Sequence, residues 1–204
     1  MQDACGGSWI PESQVPPGML VSVRELNHRF LDLVGSRTCA WNAAAPPIPD
    51  CVAAQVAHLS AAQRAAASAC PYALFDVRFH DDGHWQTRLR AAASWSIGEA
   101  AVDSRTLEFV RLALFFAWHV ASSTKLAPQL LLGMQESTAA AFRGATIDRL
   151  PALAAAEAVH LTARWNDCAR YWSALTGAAA GPDGASLRRI QLYGLQLAAV
   201  ARLS

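Results

Sequence analysis

Charged side chains are scarce in this sequence: they make up 16% of its 204 residues and leave a formal net charge of only +1. The Lys and Arg residues form no basic run, and no basic stripe alternates with aromatic residues. Proteins that bind nucleic acid or an anionic membrane surface usually present such a patch. The sequence therefore predicts neither nucleic acid nor a membrane as a partner.

A long uninterrupted hydrophobic segment is also missing. The most apolar stretch, 103–123, contains Arg111 and His119, so it falls well short of the roughly 20 apolar residues that cross a bilayer. The first residues of the chain do not combine a basic region with an apolar core, which is the pattern of a secretory signal. We therefore expect a cytoplasmic protein.

Catalytic and metal-binding signatures are equally scarce. The five cysteines contain no C-x-x-C pair, which argues against a zinc knuckle and against a disulfide framework. A nucleophile elbow, a P-loop and a dinucleotide-binding fingerprint are all missing. No local signature marks Cys70 or Cys168 as a nucleophile, and no cofactor is predicted.

Hydrophobic residues, by contrast, account for 53% of the chain, and many of them are alanine. Alanine favours helix locally, and its abundance is typical of a bacterial-like, GC-rich composition. The length is sufficient for one substantial core. We predict an irregular N-terminal lead-in over 1–18, rich in glycine and proline, followed by a single helical domain over 19–204.

The stretch 103–123 is predicted to be the central, buried helix. Asp103 can accept hydrogen bonds from free N–H groups of the first turn, and apolar residues cover most of the helix circumference. We therefore predict a mainly α fold, an orthogonal bundle of about seven helices around this central helix. The central helix should pack against the first helix (19–34), a helix over 146–165 and the last helix (186–203).

One segment has the alternating pattern of β structure. Apolar and polar residues alternate over 73–80 and again over 84–91, on either side of Asp-Asp-Gly. A three-residue loop with Gly83 in the left-handed conformation would place the apolar residues on one face, with Leu74 on the charged face as the exception. The sequence therefore predicts one β-hairpin (73–80/84–91), packed against the helices, with His80 opposite His84.

Polar residues form a narrow seam along the central helix. Glu108, Arg111, His119 and Ser122 fall within one arc of the helical wheel, with Phe115 among them. Two interpretations are open. A buried seam would form a small ligand-binding site with an aromatic floor, whereas an exposed seam would favour a protein that acts through interactions.

Asn27 is the other candidate ligand-binding residue, because it lies in the middle of the apolar side of the first helix. A buried amide has to be hydrogen-bonded, so Asn27 should meet a polar group on a neighbouring element. We expect it to fix the register of that contact, with ligand binding as the alternative role.

Two Glu-x-x-His motifs, 25–28 and 157–160, could each place a metal-ligand pair on one helix face. The candidate metal ligands are Glu157 and His160 in the second motif, and His80 and His84 beside the two aspartates of the hairpin turn. A divalent metal is thus an alternative to having no cofactor.

The plainer interpretation makes both motifs solvated helix faces. In the second motif, Glu157, His160 and Arg164 would then form an ordinary surface stripe. The plainer interpretation of the hairpin turn is an Asp/Gly turn with exposed polar flanks.

The last helix has two apolar arcs separated by narrow strips of Gln and Arg. Such a helix either lies between two layers of the fold or offers one arc to a partner. The arcs are Ile190, Tyr193, Gly194, Leu197 and Ala201 on one side, and Leu192, Leu195, Ala199 and Leu203 on the other.

These observations favour a non-catalytic helical interaction protein, which would be an accessory or regulatory factor or a homo-oligomer. Its partner, or a second copy, would bind through the C-terminal helix. The first alternative is a metal-binding protein or metal-dependent enzyme that uses Glu and His groups in the helical core. The second alternative is a small-ligand-binding regulator.

Overall fold

Helices make up most of the computed structural model, which describes residues 15–36, 50–90 and 102–200. Short π or 3-10 turns lie at Pro128–Leu132, Ile147–Arg149 and Ala158–His160. The helices are α1 (Pro17–Gly35), α2 (Asp50–His58), α3 (Ala61–Ser68), α4 (Asp82–Arg90), α5 (Ser104–Ser123), α6 (Glu136–Gly144), α7 (Leu150–Glu157), α8 (Ala169–Ala180) and α9 (Gly184–Val200). Two short strands, β1 (Phe75–Asp76) and β2 (Thr162–Ala163), complete the fold.

Helix α5 is the central helix, as the sequence predicts. The Asp103 carboxylate caps it by accepting hydrogen bonds from the N–H groups of Arg105 and Thr106 at 3.0 and 3.1 Å. The helix packs extensively against α1, α6 and α7. Apolar side chains from α1 through α8 form one continuous core. The mainly α class with one two-stranded antiparallel element is confirmed.

The first helices begin close to their predicted positions. Residues 1–14 of the predicted lead-in lie outside the described residues, and Pro17 and Gly18 already belong to the first turn of α1. The sequence Ser60-Ala-Ala-Gln63 predicts a capping box at the start of α3, and it is present. The Ser60 hydroxyl accepts from the Gln63 N–H, and the Gln63 side chain accepts from the Ser60 N–H.

The predicted hairpin is wrong in its second strand. Residues Asp82–Arg90 form helix α4, so His80 and His84 do not face each other across a hairpin. The alternation of Trp85, Thr87 and Leu89 misleads because Trp85 and Leu89 are four residues apart, a spacing that also shares one helix face. Both are buried in the structure, whereas Thr87 is exposed.

Strand β1 pairs instead with β2, far along the chain. The pair is antiparallel, with Phe75 opposite Ala163 and Asp76 opposite Thr162. A further hydrogen bond of 2.9 Å runs from the Arg164 N–H to the Leu74 carbonyl. This pairing brings the residues after α7 next to the segment that leads into α4.

The predicted helix over 146–165 is shorter than expected. Helix α7 ends at Glu157, and the chain continues through a 3-10 turn into β2. Trp165 has a φ of 54°, which is incompatible with a helix. Glu157 and Arg164 are both buried, so the predicted surface stripe of Glu157, His160 and Arg164 is also wrong.

Helix α9 packs mainly against α8, and no extensive contact between α9 and α5 is found in the described parts of these helices. The predicted packing of the last helix on the central helix is therefore wrong. The sequence predicts Ser186 as the cap of this last helix, but the structure has a different residue in that role. Asp183 supplies it, by accepting from the N–H groups of Ala185 and Ser186.

Helix α9 contacts the core closely at Gly194. The Tyr72 hydroxyl donates to the Gln191 carbonyl at 3.0 Å and lies 3.0 Å from the Tyr171 hydroxyl. A Cβ atom at position 194 would come within 1.9 Å of that Tyr72 oxygen, so only glycine fits. This contact fixes how α9 is rotated against the core.

None of the helices formed by the described residues is both long enough and apolar enough to cross a membrane.

Candidate functional site

A buried carboxylate marks the candidate site. Glu157 is the last residue of α7, and its side chain is completely buried. Removing a carboxylate from water costs several kcal/mol, so the neighbours of Glu157 have to compensate that cost.

Helix α4 supplies the two main partners. The His84 Nε2 lies 2.7 Å from Glu157 Oε2, and the Arg88 Nε lies 2.9 Å from Oε1. His84 and Arg88 are four residues apart, so they project from one face of α4 toward the end of α7. Each oxygen of the carboxylate thus contacts a different side chain of α4.

The two contacts differ in hydrogen-bond geometry. His84 hydrogen-bonds to Oε2, whereas Oε1 has no aligned hydrogen bond although Arg88 lies at ion-pair distance. A buried polar atom left in this state calls for an explanation, because nearly all such atoms in folded proteins are hydrogen-bonded. The arrangement is therefore not a closed structural network.

Arg78 extends the site on the solvent side. Its Nη1 lies 3.5 Å from His84 Nδ1, and its backbone has a φ of 54°, which is unusual for a residue other than glycine. The Arg78 carbonyl accepts from the Asp81 N–H and from the Trp85 indole, which hold this turn in place. Because Arg78 can only donate, its position assigns the proton of neutral His84 to Nε2.

His160 completes the group from the 3-10 turn that follows α7. Its Nε2 lies 4.0 Å from Glu157 Oε2, and its ring centre lies 5.6 Å from that of His84. Burial lowers the pKa of His160 below its ordinary value of 6.5, and the positive charge of Arg78 lowers it further against the opposing effect of Glu157. His160 is therefore mainly neutral at pH 7.

We name this group the Glu157 cluster. Its formal charge is positive, because it contains two arginines and one carboxylate, and its histidines add no negative charge. Its rim is open to solvent, since Arg88 is 34% exposed and His160 is 28% exposed. The members of the cluster are Arg78, His84, Arg88, Glu157 and His160.

The predicted metal ligands are only partly brought together. His84, Glu157 and His160 meet in the cluster, but His80 lies apart and contacts Asp76 Oδ2 at 2.8 Å through Nδ1. Among the residues that the structure describes, no group of three or more His, Cys, Asp or Glu side chains has an arrangement that could hold a metal ion. The two adjacent arginines also oppose a divalent cation electrostatically.

The predicted polar seam of α5 faces solvent. Glu108, Arg111, His119 and Ser122 are exposed, and Phe115 is half-buried. The seam therefore does not enclose a site, and the interpretation that depended on its burial loses its support.

Asn27 is buried and hydrogen-bonded to a neighbouring segment, as expected. Its amide nitrogen donates to the Tyr72 carbonyl at 2.8 Å, with longer contacts to the carbonyls of Ser68 and Cys70. Its amide oxygen accepts from the Leu74 N–H at 2.7 Å. The whole amide thus fixes the chain between α3 and β1.

Cys70 is poorly suited to nucleophilic chemistry. Its side chain is fully buried, and burial raises the pKa of its thiol to about 11. The reactive thiolate is therefore scarce at neutral pH.

Sequence reasoning missed the two arginines of the cluster. Arg78 and Arg88 belonged to the polar face of the predicted hairpin, where both were expected to be solvated. The spacing of His84 and Arg88 as i,i+4 neighbours was an available signal for a helix whose polar face meets a carboxylate.

The chain matches no family model, no curated protein and no solved structure. Its function therefore has to be inferred from the geometry of its own residues.

Proposed function

We propose that this chain is a non-catalytic helical protein that binds a small ligand, with the Glu157 cluster as its binding site. The observation that carries the proposal is the double contact of one buried carboxylate, which holds an arginine and a histidine of another helix at a partly open surface. Binding sites typically need polar groups that are fixed in advance by groups behind them.

The number of basic groups supports a binding role over a purely structural one. One arginine would suffice to neutralise Glu157, yet Arg78 and two histidines also converge there. The contacts of His84 support a non-catalytic role. Its Nε2 contacts Glu157 and its Nδ1 contacts Arg78, so neither ring nitrogen is left to exchange a proton with a substrate. The cytoplasmic location expected from the sequence stays a prediction.

Thermal-shift screening against a metabolite library tests this proposal. A ligand present at about 100 times its Kd should stabilise the protein by about 2.7 kcal/mol, a readily detected shift. Arg88→Gln should abolish the shift, whereas Arg90→Gln, an exposed arginine of the same helix, should preserve it. A ligand whose effect is equal in both variants would place binding elsewhere and contradict the proposal.

A second candidate function is interaction with a protein partner or with another copy of the chain through α9. On this helix Leu192 is 60% exposed and Tyr193 is 41% exposed. Large apolar side chains that stay exposed on a helix favour an interaction site. The exposed seam of α5 also agrees with an accessory or regulatory factor, or with a homo-oligomer.

Light scattering at high protein concentration tests the homo-oligomer. Leu192→Glu should convert an oligomer to a monomer, because it places a charge in the middle of the exposed apolar surface. Gln196→Glu, at another exposed position of α9, adds the same charge and serves as the control. A wild-type monomer at all concentrations would remove self-association from consideration.

A further inference from the structure

We propose that the ligand of the Glu157 cluster carries an oxyanion, a phosphate or carboxylate group, which Arg78, Arg88 and His160 hold. This inference rests on the proposed function, since it names the chemical class of the ligand at the same site. Three features of the cluster support an anionic ligand: its charge, the unpaired donors of Arg88, and the arrangement of Glu157 beneath the arginines.

The charge of the cluster favours an anion. Glu157 balances only one of the two arginines, and its carboxylate lies beneath them, completely buried. Asp81, just before α4, is engaged locally, because its Oδ1 accepts from the His84 N–H at 3.0 Å. The electrostatic effect on His160 agrees, because Arg78 and Arg88 both disfavour its protonated form. The exposed rim thus presents positive charge.

The way Arg88 is held leaves it able to bind. Its ion pair with Glu157 is formed through Nε at 2.9 Å, and among the described residues its two Nη groups have no hydrogen-bond partner. An arginine fork of this kind binds phosphate or carboxylate through parallel hydrogen bonds. Because Arg88 is already held by Glu157, less side-chain entropy is lost when an anion binds.

Arg78 is positioned indirectly, through His84. Glu157 orients His84, and His84 Nδ1 faces Arg78 Nη1 at 3.5 Å. The unfavourable backbone conformation of Arg78 places its side chain beside the histidine, and strained residues of this kind concentrate at functional sites. One buried carboxylate thus positions two arginines, one directly and one through a histidine.

In this arrangement Glu157 is a positioning residue. Its loss is therefore expected to change anion binding in the direction opposite to the one that its charge alone predicts. If the site were simply a region of positive charge, replacing Glu157 with glutamine would strengthen anion binding by removing a negative charge. If Glu157 positions the arginines, the same substitution weakens anion binding. The direction of the change separates the two explanations.

NMR titration of the full chain is the test, with inorganic phosphate and acetate as separate probes at pH 8 and constant ionic strength in chloride. We expect saturable shifts of the Arg88 Nε and His160 ring signals with at least one of the two anions, and the anion that acts identifies the group. Arg88→Gln and Arg78→Gln should each weaken binding about tenfold, the effect of one charge-assisted hydrogen bond. Arg90→Gln should leave binding unchanged.

Glu157→Gln should weaken anion binding at least threefold, and its thermal unfolding is measured in parallel. If this variant unfolds, Arg88→Lys takes its place, since it keeps the charge and loses the fork. Weaker binding by Arg88→Lys supports the proposal, and unchanged binding overturns it. Stronger binding by a folded Glu157→Gln overturns the positioning role of Glu157.

Two results would overturn the oxyanion inference. The first is that Zn²⁺ perturbs the same NMR signals and binds more tightly to Arg88→Gln than to the wild type. The cluster would then be a cation site. The other is the absence of any response to phosphate and acetate while a library compound still binds at these signals. If neither anions, Zn²⁺ nor library compounds perturb these signals, the proposed function fails as well.

Discussion

Asn27 and Glu157 are both completely buried polar side chains on helices, and both contact other parts of the fold. Their partners differ. Asn27 contacts the main chain of the segment between α3 and β1, with both ends of its amide hydrogen-bonded. Among the described residues, the Glu157 carboxylate has only side-chain partners, some of them partly exposed, and one of its oxygens lacks an aligned hydrogen bond.

The difference separates a structural group from a candidate site. Main-chain groups stay where the fold places them and have no second use once a side chain has paired them. Arginine and histidine side chains at a rim can contact a buried carboxylate and a ligand at the same time. A buried polar residue is therefore a stronger indication of function when its partners are side chains with access to solvent.

The largest effect is expected from Asn27→Leu. The substitution leaves buried main-chain groups of Tyr72 and Leu74 without partners, and nothing else in the site can replace them. We expect a loss of about 3 kcal/mol or more in the free energy of unfolding, measured with denaturant. Phosphate binding by the folded fraction should be unchanged. A loss below about 1 kcal/mol would remove the structural contrast with Glu157.

Glu157→Leu should lower the free energy of unfolding by a smaller amount, and a second substitution should recover part of the loss. It strands the nearly buried His84 without an acceptor, while Arg88 can turn into solvent, so we expect a loss of about 2 kcal/mol. Combining it with His84→Leu should recover part of this loss, since both partners are then apolar. The double variant should nonetheless fail to bind an anion. If pairing with His84→Leu recovers nothing, the contact is not the isolated side-chain network described here.

The smallest effect is expected at His80, whose partner is also a side chain but whose own side chain is 74% exposed. The hydrogen bond to Asp76 raises the pKa of His80 above its ordinary value of 6.5. Its stabilisation is therefore complete below pH 6.5 and is lost as the pH rises through the folded-state pKa. His80→Ala should cost a few tenths of a kcal/mol, roughly, at pH 5.5 and nothing at pH 8.5. A cost that does not change with pH would contradict the ion pair.

Local signals predicted the starts of α3 and α5 well, because capping chemistry is contained within a few residues. The Asp103 cap and the Ser60 capping box are both present in the structure. The alternating segment failed because its apolar spacing fits a helix face as well as a strand face. Leu74, which broke the predicted alternation, is fully buried and was the available warning.

The candidate site could be predicted only in part. The sequence singled out His84, Glu157 and His160, but as two separate motifs. Their meeting depends on the pairing of β1 with β2, which joins residues 86 to 88 positions apart, and no local pattern specifies such a contact. Arg78 and Arg88 were missed because both acquire their roles from that same contact.

The close contact of α9 at Gly194 has a practical consequence. Because the Tyr72 hydroxyl fixes the rotation of the helix at position 194, the outward direction of its other residues is known. Leu192 and Gln196 point into solvent and lie one turn apart. A fluorophore or a surface tether attached at Gln196 would report on the protein, or immobilise it, without entering the core.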